Sequence, residues 1–399
     1  MRVLFLHPNF PAQFGYLAME LAKDSRNQVV FVTKRQEGQL KNVRKVLYAP
    51  SRPVSSQTHH YVKNLESAVL EGQAVYRIVQ KLKTEGFVPD VVYGHSGWGP
   101  TLFLRDILPK TRLLCYFEWF YNARGSDADF DPADPLTEDD FPRIRSKNAP
   151  ILMDLSSCDH GRSPTHWQHQ QFPSEYHSRI TVLHDGVDTE FFRPFPGISR
   201  KIPSIQRDLS DVKEIVTYVA RGMEPYRGFP QFMEAVALLQ RRRPECHVII
   251  VGQDRVAYGK SLPNGKTYKQ DALERLELDQ SRIHFTGLLP LDQYRQILRM
   301  SSVHAYLTRP FVLSWSFMEA MACGCVMVAS NTEPVREVLI EGHNGLLVDF
   351  FYTRALTNRI EEALEHPGRQ RLGANARSTI VDHYSLKKLL PRHIDLLSG

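Results

Sequence analysis

The sequence predicts a mixed α/β protein of two domains, each with a mainly parallel sheet wrapped by helices. The chain has 399 residues, which is more than one core usually supports. Short apolar runs alternate with longer amphipathic stretches in two successive blocks, the pattern of parallel sheets with crossover helices. A segment rich in proline and charge begins at Arg193, between the blocks, and indicates a domain edge.

The first block contains five apolar runs and two helical stretches. Leu17, Ala18 and Leu21 are spaced to share one face of a helix over residues 12–22. A long second helix is predicted over residues 61–85. Strands are predicted at residues 3–6, 29–33, 88–93, 113–117 and 180–183.

The second block repeats the alternation with more strands. Gly324 is expected to stop a helix that begins at Trp315. Strands are predicted at residues 215–219, 247–251, 283–285, 303–307, 326–329 and 346–348, and helices at residues 230–241, 291–300, 315–323 and 330–337. The tail over residues 372–397 reads as helical, and Pro391 is expected to kink or restart it.

Composition excludes some classes of protein. Apolar residues make up 42% of the chain and charged residues 24%, as in ordinary globular proteins. No run approaches 18 apolar residues, so no membrane-spanning helix is expected. The N-terminus MRVLFLHPNF is read as a first strand rather than a signal peptide. The five cysteines include Cys323 and Cys325, but no second pair or histidine stands at zinc spacing, so reduced thiols in a cytoplasmic protein are expected.

Two charged segments could indicate nucleic-acid binding or metal binding, and we favour neither function. The arginines at 241–243 end a predicted helix, where cations complement the helix dipole, and no nucleic-acid motif accompanies them. We therefore expect no nucleic-acid partner, and the net charge of +6 fits an anionic donor, an anionic membrane surface or no specific partner. The acidic residues 127–140 lack the spacing and glycine of a calcium loop, so a mobile surface loop is favoured over a metal site.

The most informative segment runs from Arg309 to residue 347. A polar turn leads into a helix that presents Glu319, and an apolar strand follows Gly324. Free N–H groups at a helix N-terminus favour phosphate oxygens, and a fixed carboxylate accepts hydrogen bonds from ribose hydroxyls. The segment therefore suits a nucleotide sugar.

This segment, with its AMACG run and its later EGHNGLLV, resembles the donor-binding segment of the family 4 glycosyltransferases, retaining enzymes of GT-B fold. The family usually carries two glutamates eight positions apart. Glu319 matches the second, whereas Phe311 stands at the position of the first. The loop around Gly287 resembles the family loop that holds the base through main-chain groups. The resemblance implies a donor-binding set of Gly15, Gly287, Leu288, Phe311, Val312, Leu313, Ser314, Trp315, Ser316 and Glu319.

The resemblance also implies the domain organisation. Residues 1–195 would form an acceptor-binding Rossmann-like domain, and residues 196–375 a donor-binding Rossmann-like domain facing it across a cleft. The helix within residues 376–399 would cross back onto the first domain. Residues 182–194 resemble the interdomain motif of the family, with Asp185 at its asparagine position. Gly186 suggests a tight turn, and Asp188 is expected to cap the next one.

Three residues are candidates for catalysis. Arg221 and Arg227 follow a strand at the sheet edge where doubly wound folds bind ligands, and two guanidiniums could neutralise a diphosphate. The family has an arginine and a lysine here, so Arg227 replaces the lysine. His95 ends a strand in YGHSGWGP, where the family carries a histidine that faces the donor sugar.

Four residues are candidates for the acceptor side. His7 and Asn9 lie in the loop after the first strand. Glu118 and Trp119 close another strand and suit hydrogen bonding and stacking with a sugar, although core packing of Trp119 is an open alternative. Gly15 is the only glycine where the family often has a Gly-Gly pair, so that match is weak.

The resemblance implies retaining transfer of a hexose-type sugar from a nucleotide diphosphate, with UDP favoured over GDP, to a glycan, lipid-linked or other hydroxyl. Arginines and backbone amides supply positive potential, so neither metal nor cofactor is expected. A cytoplasmic location follows, with peripheral association at the inner membrane face left open. Two alternatives remain: a non-catalytic nucleotide-sugar-binding subunit, which Phe311 motivates, and an epimerase of the same fold. A nicotinamide dehydrogenase is disfavoured because HPNFPAQFG, not GxGxxG, follows the first strand.

Overall fold

The structure, a computed structural model, describes residues 1–398 and contains two compact units. The first unit comprises Met1–Asp185 and the residues from Lys387 onwards, and the second comprises Gly186–Leu386. The division falls at 185/186, before the expected 195/196. The reason is that Val187 and Phe192 lie in the apolar core of the second unit.

The first unit is built on a seven-stranded parallel sheet. Its strands are β1 (Arg2–Leu6), β2 (Gln28–Thr33), β3 (Val43–Leu47), β4 (Val91–His95), β5 (Arg112–Tyr116), β6 (His160–Ser163) and β7 (Ile180–Val182). Their order is β3-β2-β1-β4-β5-β6-β7. Leu6 of β1 pairs with Gly94 of β4, and the strand order reverses between these two strands. Ligands bind at such switch points, beyond the carboxyl ends of the strands.

Helices cover both faces of this sheet. They are α1 (Gly15–Leu21), α2 (Lys63–Thr84), α3 (Leu104–Ile107), α4 (Asp140–Lys147), α5 (Ala149–Ser157) and α6 (His166–Gln170). Alternate residues of β1 point to opposite faces, so Phe5 packs with Phe14 of the α1 region while Leu4 packs with Leu82 of α2. Burial on both faces explains why these strands are almost wholly apolar.

The second unit has a six-stranded parallel sheet. Its strands are β8 (Glu214–Gly222), β9 (Cys246–Gln253), β10 (Ile283–Gly287), β11 (Val303–Tyr306), β12 (Met327–Ser330) and β13 (Leu346–Val348), in the order β10-β9-β8-β11-β12-β13. Its helices are α7 (Phe229–Arg242), α8 (Tyr268–Arg275), α9 (Leu291–Met300), α10 (Trp315–Ala322), α11 (Glu333–Arg336), α12 (Thr353–Glu365) and α13 (Arg369–Thr379). The switch point lies between β8 and β11, where Val216 pairs with Val303. The predicted fold class, two parallel α/β sheets each wrapped by helices, is confirmed.

The tail returns to the first unit. A π-helical turn, Ile380–Tyr384, precedes α14 (Leu386–Ser398). The break in the helix lies at Ser385, which is extended, and α14 runs through Pro391, so the expected restart at the proline is wrong. Proline removes only its own N–H, and the carbonyl left without it belongs to the exposed Lys387, where water can bond it. Among residues 1–398 no helix is long and apolar enough to cross a membrane.

Asp185 ends the first unit in a buried ion pair. Its carboxylate accepts from the guanidinium of Arg162, and Arg162 also donates to His393 Nδ1 of α14 at 3.2 Å. His393 Nε2 lies 2.9 Å from the carbonyl oxygen of His184 and therefore carries the proton. Burial lowers the pKa of His393 to about 3, so the ring is neutral. Asp188, as expected, caps the following turn by accepting from the N–H of Phe191 at 2.9 Å.

Candidate functional site

On the second unit, Arg227 lies at the carboxyl end of β8. It closes a 3-10 turn, Pro225–Arg227, and Gly228 then leads into α7. Gly228 has φ +62° and lies so close to Leu307 that an added Cβ would sit 2.5 Å from the Leu307 Cβ. Only glycine fits there without displacement, so the turn that aims Arg227 at the sheet edge depends on it.

The guanidinium of Arg227 is buried among neutral oxygens. Nη1 donates to the Tyr306 hydroxyl at 2.9 Å and to Thr308 Oγ1 at 2.7 Å. Nη2 donates to the carbonyl oxygen of Val312 at 3.0 Å. None of these acceptors carries charge, so the positive potential of Arg227 remains available to an anion. Arg221, by contrast, is exposed near the end of β8, and the structure does not give the two arginines equivalent environments.

Glu224 is a buried carboxylate that the sequence did not single out. It accepts backbone hydrogen bonds from Ala257 at 3.0 Å, Tyr258 at 3.0 and 3.1 Å, and Gly259 at 2.7 Å. It therefore fixes the loop after β9. The only local signal is a glutamate within ARGMEPYRGF, and its partners lie more than thirty residues further along the chain.

Phe311 belongs to an aromatic cluster made of Tyr226, Tyr258 and Phe311. The Phe311 ring centroid lies 5.5 Å from that of Tyr226 and 5.4 Å from that of Tyr258. The Tyr258 ring also lies 5.5 Å from Arg227 Cζ. An aromatic surface thus adjoins the buried arginine at the position where the resembled family has a glutamate.

Glu319 faces inwards from α10. The Ser314 Oγ caps this helix by accepting from the Ser316 N–H at 3.3 Å. The Tyr294 hydroxyl donates to Glu319 Oε2 at 2.7 Å. Burial raises the pKa of Glu319 to about 7, and the Tyr294 hydrogen bond opposes that rise.

The other donor-side candidates have different exposures. Leu313 is core and Ser316 is buried, whereas Trp315 and Leu288 are exposed. Gly287 has φ +68° at the end of β10. The side-chain contacts of this group do not identify a ligand, so these assignments stay predictions.

On the first unit, three candidates meet at the carboxyl ends of adjacent strands. His7 follows β1, His95 ends β4 and Glu118 follows β5. The His7 and His95 ring centroids are 4.9 Å apart, and His95 Nε2 lies 3.4 Å from Glu118 Oε2. Gln13, which lies in the loop with the weak glycine match, donates from Nε2 to Glu118 Oε1 at 3.1 Å.

The hydrogen bonds define where protons lie on the two histidines. His95 Nδ1 is 2.8 Å from the Ser96 carbonyl oxygen and must donate to it, so Nε2 is the nitrogen that faces Glu118. His7 Nδ1 accepts from the Asn9 N–H at 2.8 Å, which leaves its proton on Nε2. Burial, with repulsion from His95, lowers the pKa of His7 well below its usual value. His7 is therefore a neutral imidazole.

Asp154 of α5 holds the loop after His95. Its carboxylate accepts from Ser96 Oγ at 2.7 Å, Thr101 Oγ1 at 2.8 Å and the Gly97 N–H at 3.3 Å. Burial raises the pKa of Asp154 to about 6, although these hydrogen bonds oppose the rise. The sequence did not reveal this residue, because its partners are more than fifty positions away.

Two candidates lie in closely packed surroundings. Gly15 is buried, and an added Cβ would lie 2.9 Å from Pro11 Cγ. Its lack of a side chain is explained by that close approach. Trp119 is buried, with its ring centroid 6.4 Å from that of Trp167, as the core-packing alternative expects.

The charged segments form ion pairs on the surface. Arg241, Arg242 and Arg243 pair with Glu277, Glu361, Glu214 and Glu365. In the acidic loop, Asp139 accepts from the Tyr61 hydroxyl at 2.6 Å, and Asp140 pairs with Arg143. Within the part of the chain that the structure describes, no three His, Cys, Asp or Glu residues are grouped to hold a metal ion. All five cysteines are buried free thiols.

Comparison with known proteins agrees with this architecture. Anabaena HepE in complex with UDP-glucose superposes with a TM-score of 0.72, covering 100% of this chain and 99% of that one at 15% identity. Sucrose-phosphate synthase of Thermosynechococcus elongatus gives 0.70 at 16% identity, covering 99% and 98% of the two chains. At such identities the likeness shows the fold alone: the fold is that of the GT-B glycosyltransferases.

Sequence comparison then gives the family. Residues 25–192 match the glycosyl transferase family 4 group, and residues 202–379 match the glycosyl transferases group 1. Together these matches take in most of the chain, which therefore belongs to the group 1 glycosyltransferases of family 4, a family of transferases. The predicted resemblance is confirmed.

Curated relatives match over part of their length. An uncharacterized glycosyltransferase of Methanocaldococcus jannaschii is 27% identical over 52% of this chain and 50% of that protein. The GDP-mannose-dependent alpha-(1-6)-phosphatidylinositol monomannoside mannosyltransferase of Mycolicibacterium smegmatis is 26% identical over 54% of this chain and 56% of that protein. The chain thus spans about half the length of the curated relatives it matches.

Proposed function

We propose that the chain is a retaining glycosyltransferase that moves a hexose-type sugar from a nucleotide diphosphate to a hydroxyl acceptor in glycan, polysaccharide or glycolipid synthesis. The observation that carries the proposal is the buried guanidinium of Arg227, held at the switch point of the second sheet by three uncharged oxygens. A diphosphate supplies the missing negative charge. The first turn of α10, beside the Val312 carbonyl that Arg227 holds, adds the positive end of a helix dipole.

The chemistry assigned to Arg227 is stabilisation of the leaving group. As the bond between the sugar and the diphosphate breaks, negative charge develops on the departing oxygen, and Arg227 opposes it. That oxygen takes the proton from the attacking acceptor hydroxyl on the same face of the sugar. The new glycosidic bond forms on the face that the diphosphate leaves, so the configuration is retained. Arg221 is exposed and precedes Arg227 in the same segment. We propose it as a second cation for the diphosphate.

The donor base and the location of the protein are part of the proposal. Main-chain groups around Gly287 would hold the base, so both bases remain compatible with the site. UDP is favoured, and a structure similar in fold holds UDP-glucose. GDP is the alternative, since one relative is named as GDP-mannose-dependent. We place the protein in the cytoplasm, with peripheral association at the inner membrane face as a further option.

A donor panel tests the proposal. Thermal shift of the purified protein against UDP- and GDP-sugars should identify a stabilising donor, and donor hydrolysis should then be measurable. Arg227→Ala should lower turnover by about 100-fold or more. Arg227→Lys should retain more activity than Arg227→Ala because it keeps the charge, and Arg354→Ala, an exposed change on α12, is the control. Normal turnover in Arg227→Ala would place the diphosphate elsewhere.

The same assay separates the alternatives. A stabilising nucleotide sugar that is neither hydrolysed nor transferred would indicate a binding subunit, and conversion of the donor without any acceptor to another nucleotide sugar would indicate an epimerase. Turnover should also survive EDTA, because Arg227 and backbone amides supply the positive potential. Loss in EDTA with recovery in magnesium or manganese would overturn the metal-free mechanism.

A further inference from the structure

The two carboxylate oxygens of Glu319 have different surroundings. The Tyr294 hydroxyl donates to Oε2 at 2.7 Å. Among the residues that the structure describes, no donor reaches Oε1, and the Glu319 side chain is half-buried. A carboxylate oxygen that has no partner in the protein can still accept a hydrogen bond from a ligand. The contact with Tyr294 therefore decides which oxygen of Glu319 remains available.

Packing fixes the Tyr294 ring in the second unit. The ring lies against two apolar cores, one that contains Phe317 and one that contains Ile297. Its centroid is 5.9 Å from that of Phe192, with the ring planes at 68°. A ring that is already fixed loses little conformational freedom when its hydroxyl makes a hydrogen bond. The hydroxyl of Tyr294 on α9 is thus preorganised to hold Glu319 on α10.

The hydrogen bond between Tyr294 and Glu319 favours the ionised carboxylate. Burial, together with the charge of Glu319, raises the pKa of Tyr294 well above its usual value, so the hydroxyl keeps its proton and donates. A donated hydrogen bond is stronger to a carboxylate than to a neutral carboxyl group. Burial raises the pKa of Glu319 to about 7, and the Tyr294 hydrogen bond lowers it.

The other titratable groups around this pair are neutral thiols. Cys323 follows Glu319 on the same helix segment, and Cys325 precedes β12. Burial raises the pKa of Cys323 to about 12 and raises the pKa of Cys325 well above its usual value. Cys323 also lies near three arginines of α9 and α13, namely Arg295, Arg299 and Arg377. None of these arginines contributes to the pKa of Glu319, which depends on burial and on Tyr294.

We propose that Tyr294 is a positioning residue for donor recognition, which occupies Oε2 of Glu319 and leaves Oε1 open to the ribose hydroxyls. This inference rests on the proposed function and deepens it, because it adds a residue that controls donor affinity through Glu319. The ribose hydroxyls donate to the ionised carboxylate, so a protonated Glu319 must release its proton to the solvent when the donor binds. Tyr294 favours that release, because its hydrogen bond stabilises the ionised form.

The pH dependence of donor affinity tests the proposal. UDP-glucose and GDP-mannose are the probes, because their diphosphates do not titrate near neutral pH. The affinity of wild type should rise as the pH increases through about 7. Tyr294→Phe should move the midpoint upwards by about one pH unit, which weakens binding about fivefold at pH 7 and less at pH 9. Tyr352→Phe, which changes a tyrosine that is 68% exposed, should leave the midpoint in place.

Calorimetry in buffers of different ionisation enthalpy counts the proton that Glu319 releases. At a pH equal to the pKa half of the carboxyl groups are protonated, so wild type at pH 7 should release about half a proton per donor bound. Tyr294→Phe should release about 0.9 of a proton, because more of its carboxyl groups are protonated at that pH. In a Glu319→Gln background, Tyr294→Phe should not change the pH profile further. Donor KM should rise in Tyr294→Phe while kcat at saturating donor stays close to that of wild type.

The outcomes separate this inference from the proposed function. If Tyr294 only packs, Tyr294→Phe should weaken donor binding equally at every pH, with an unchanged midpoint and unchanged proton release, and that result overturns the inference. Donor affinity that does not depend on pH in wild type also overturns it, and in both cases the proposed function stands because the donor still binds. If no nucleotide sugar binds wild type at any pH, the proposed function fails and this inference fails with it.

Discussion

At the scale of single residues, the ionisation of Glu319 should change both the free energy of unfolding and the affinity for the donor. Its pKa is raised to about 7, because burial disfavours the carboxylate. The folded protein therefore binds a proton more tightly than the unfolded chain, whose glutamate titrates near 4.5. Glu319 thus favours folding fully below pH 4.5, and this contribution is lost as the pH rises through about 7.

We expect Glu319→Gln to flatten that pH dependence. Between pH 5 and pH 8 the unfolding free energy of the variant should fall by about 2.5 kcal/mol less than that of wild type, because glutamine cannot be deprotonated. Denaturant unfolding at several pH values measures it. Equal slopes in the two proteins would show that Glu319 is not the titrating group.

Donor binding should respond to Glu319 in the opposite direction. Ribose hydroxyls donate to the ionised carboxylate, so donor affinity should rise as the pH increases through about 7. Glu319→Ala should weaken donor binding by about 1.5–3 kcal/mol. Calorimetric titration of the donor into a folded Glu319→Ala variant checks this, and unchanged affinity would remove Glu319 from the site.

Phe311 should set the preference among donor sugars. It packs between Tyr226 and Tyr258, so the surface where the family has a carboxylate is aromatic here. An aromatic ring packs well on a sugar ring face or on a deoxy or N-acyl group, but accepts hydrogen bonds weakly. We expect Phe311→Glu to change the order of donors in a kinetic panel. A uniform loss across all donors with a lower melting temperature would assign Phe311 to packing alone.

At the scale of elements, Glu224 connects β8 to the loop after β9. One carboxylate holds three consecutive N–H groups of residues 257–259, and Tyr258 of that loop covers Arg227. We expect Glu224→Ala to release the loop, lower stability by about 3 kcal/mol and raise donor KM. Hydrogen exchange should accelerate at residues 257–259. Glu245→Ala, an exposed change in the same unit, is the control, and unchanged exchange in Glu224→Ala would show that the backbone holds the loop unaided.

At the scale of elements, the buried apolar strands were predictable from local sequence, whereas several elements with weaker local patterns were not. The apolar runs at β1, β2 and β9 read directly as buried strands. β3 and β6 were missed because β3, VRKVL, has two adjacent cations at its centre, and β6, HGRS, has no apolar side chain. Arg162 of β6 is buried and pairs with Asp185. The local sequence of β6 gives no sign of this ion pair. The short helices α3 to α6 were also missed.

At the scale of the whole molecule, the sequence predicted part of each candidate site. Arg227, His95 and Glu118 were found because they follow strands, and the carboxyl ends of parallel strands meet at one sheet edge. Glu224, Asp154 and Gln13 were missed, because each acts on groups distant in sequence. The residues proposed to contact ligands are thus easier to infer from sequence than the residues that hold them in place.

The division into two units leads to a prediction about α14. This helix follows the second unit in sequence, yet Leu397 lies in the apolar core of the first unit with Val3 and Phe5 of β1. Leu397→Ala should therefore destabilise the first unit, by about 2–4 kcal/mol for a buried leucine that is 3% exposed. Hydrogen exchange should accelerate in β1 and β2 while β8 and β9 keep their protection. Arg392→Ala changes an exposed position of the same helix and should have no such effect. Equal acceleration in both sheets would mean that the two units unfold as one, and no change in β1 would mean that α14 does not support the first sheet.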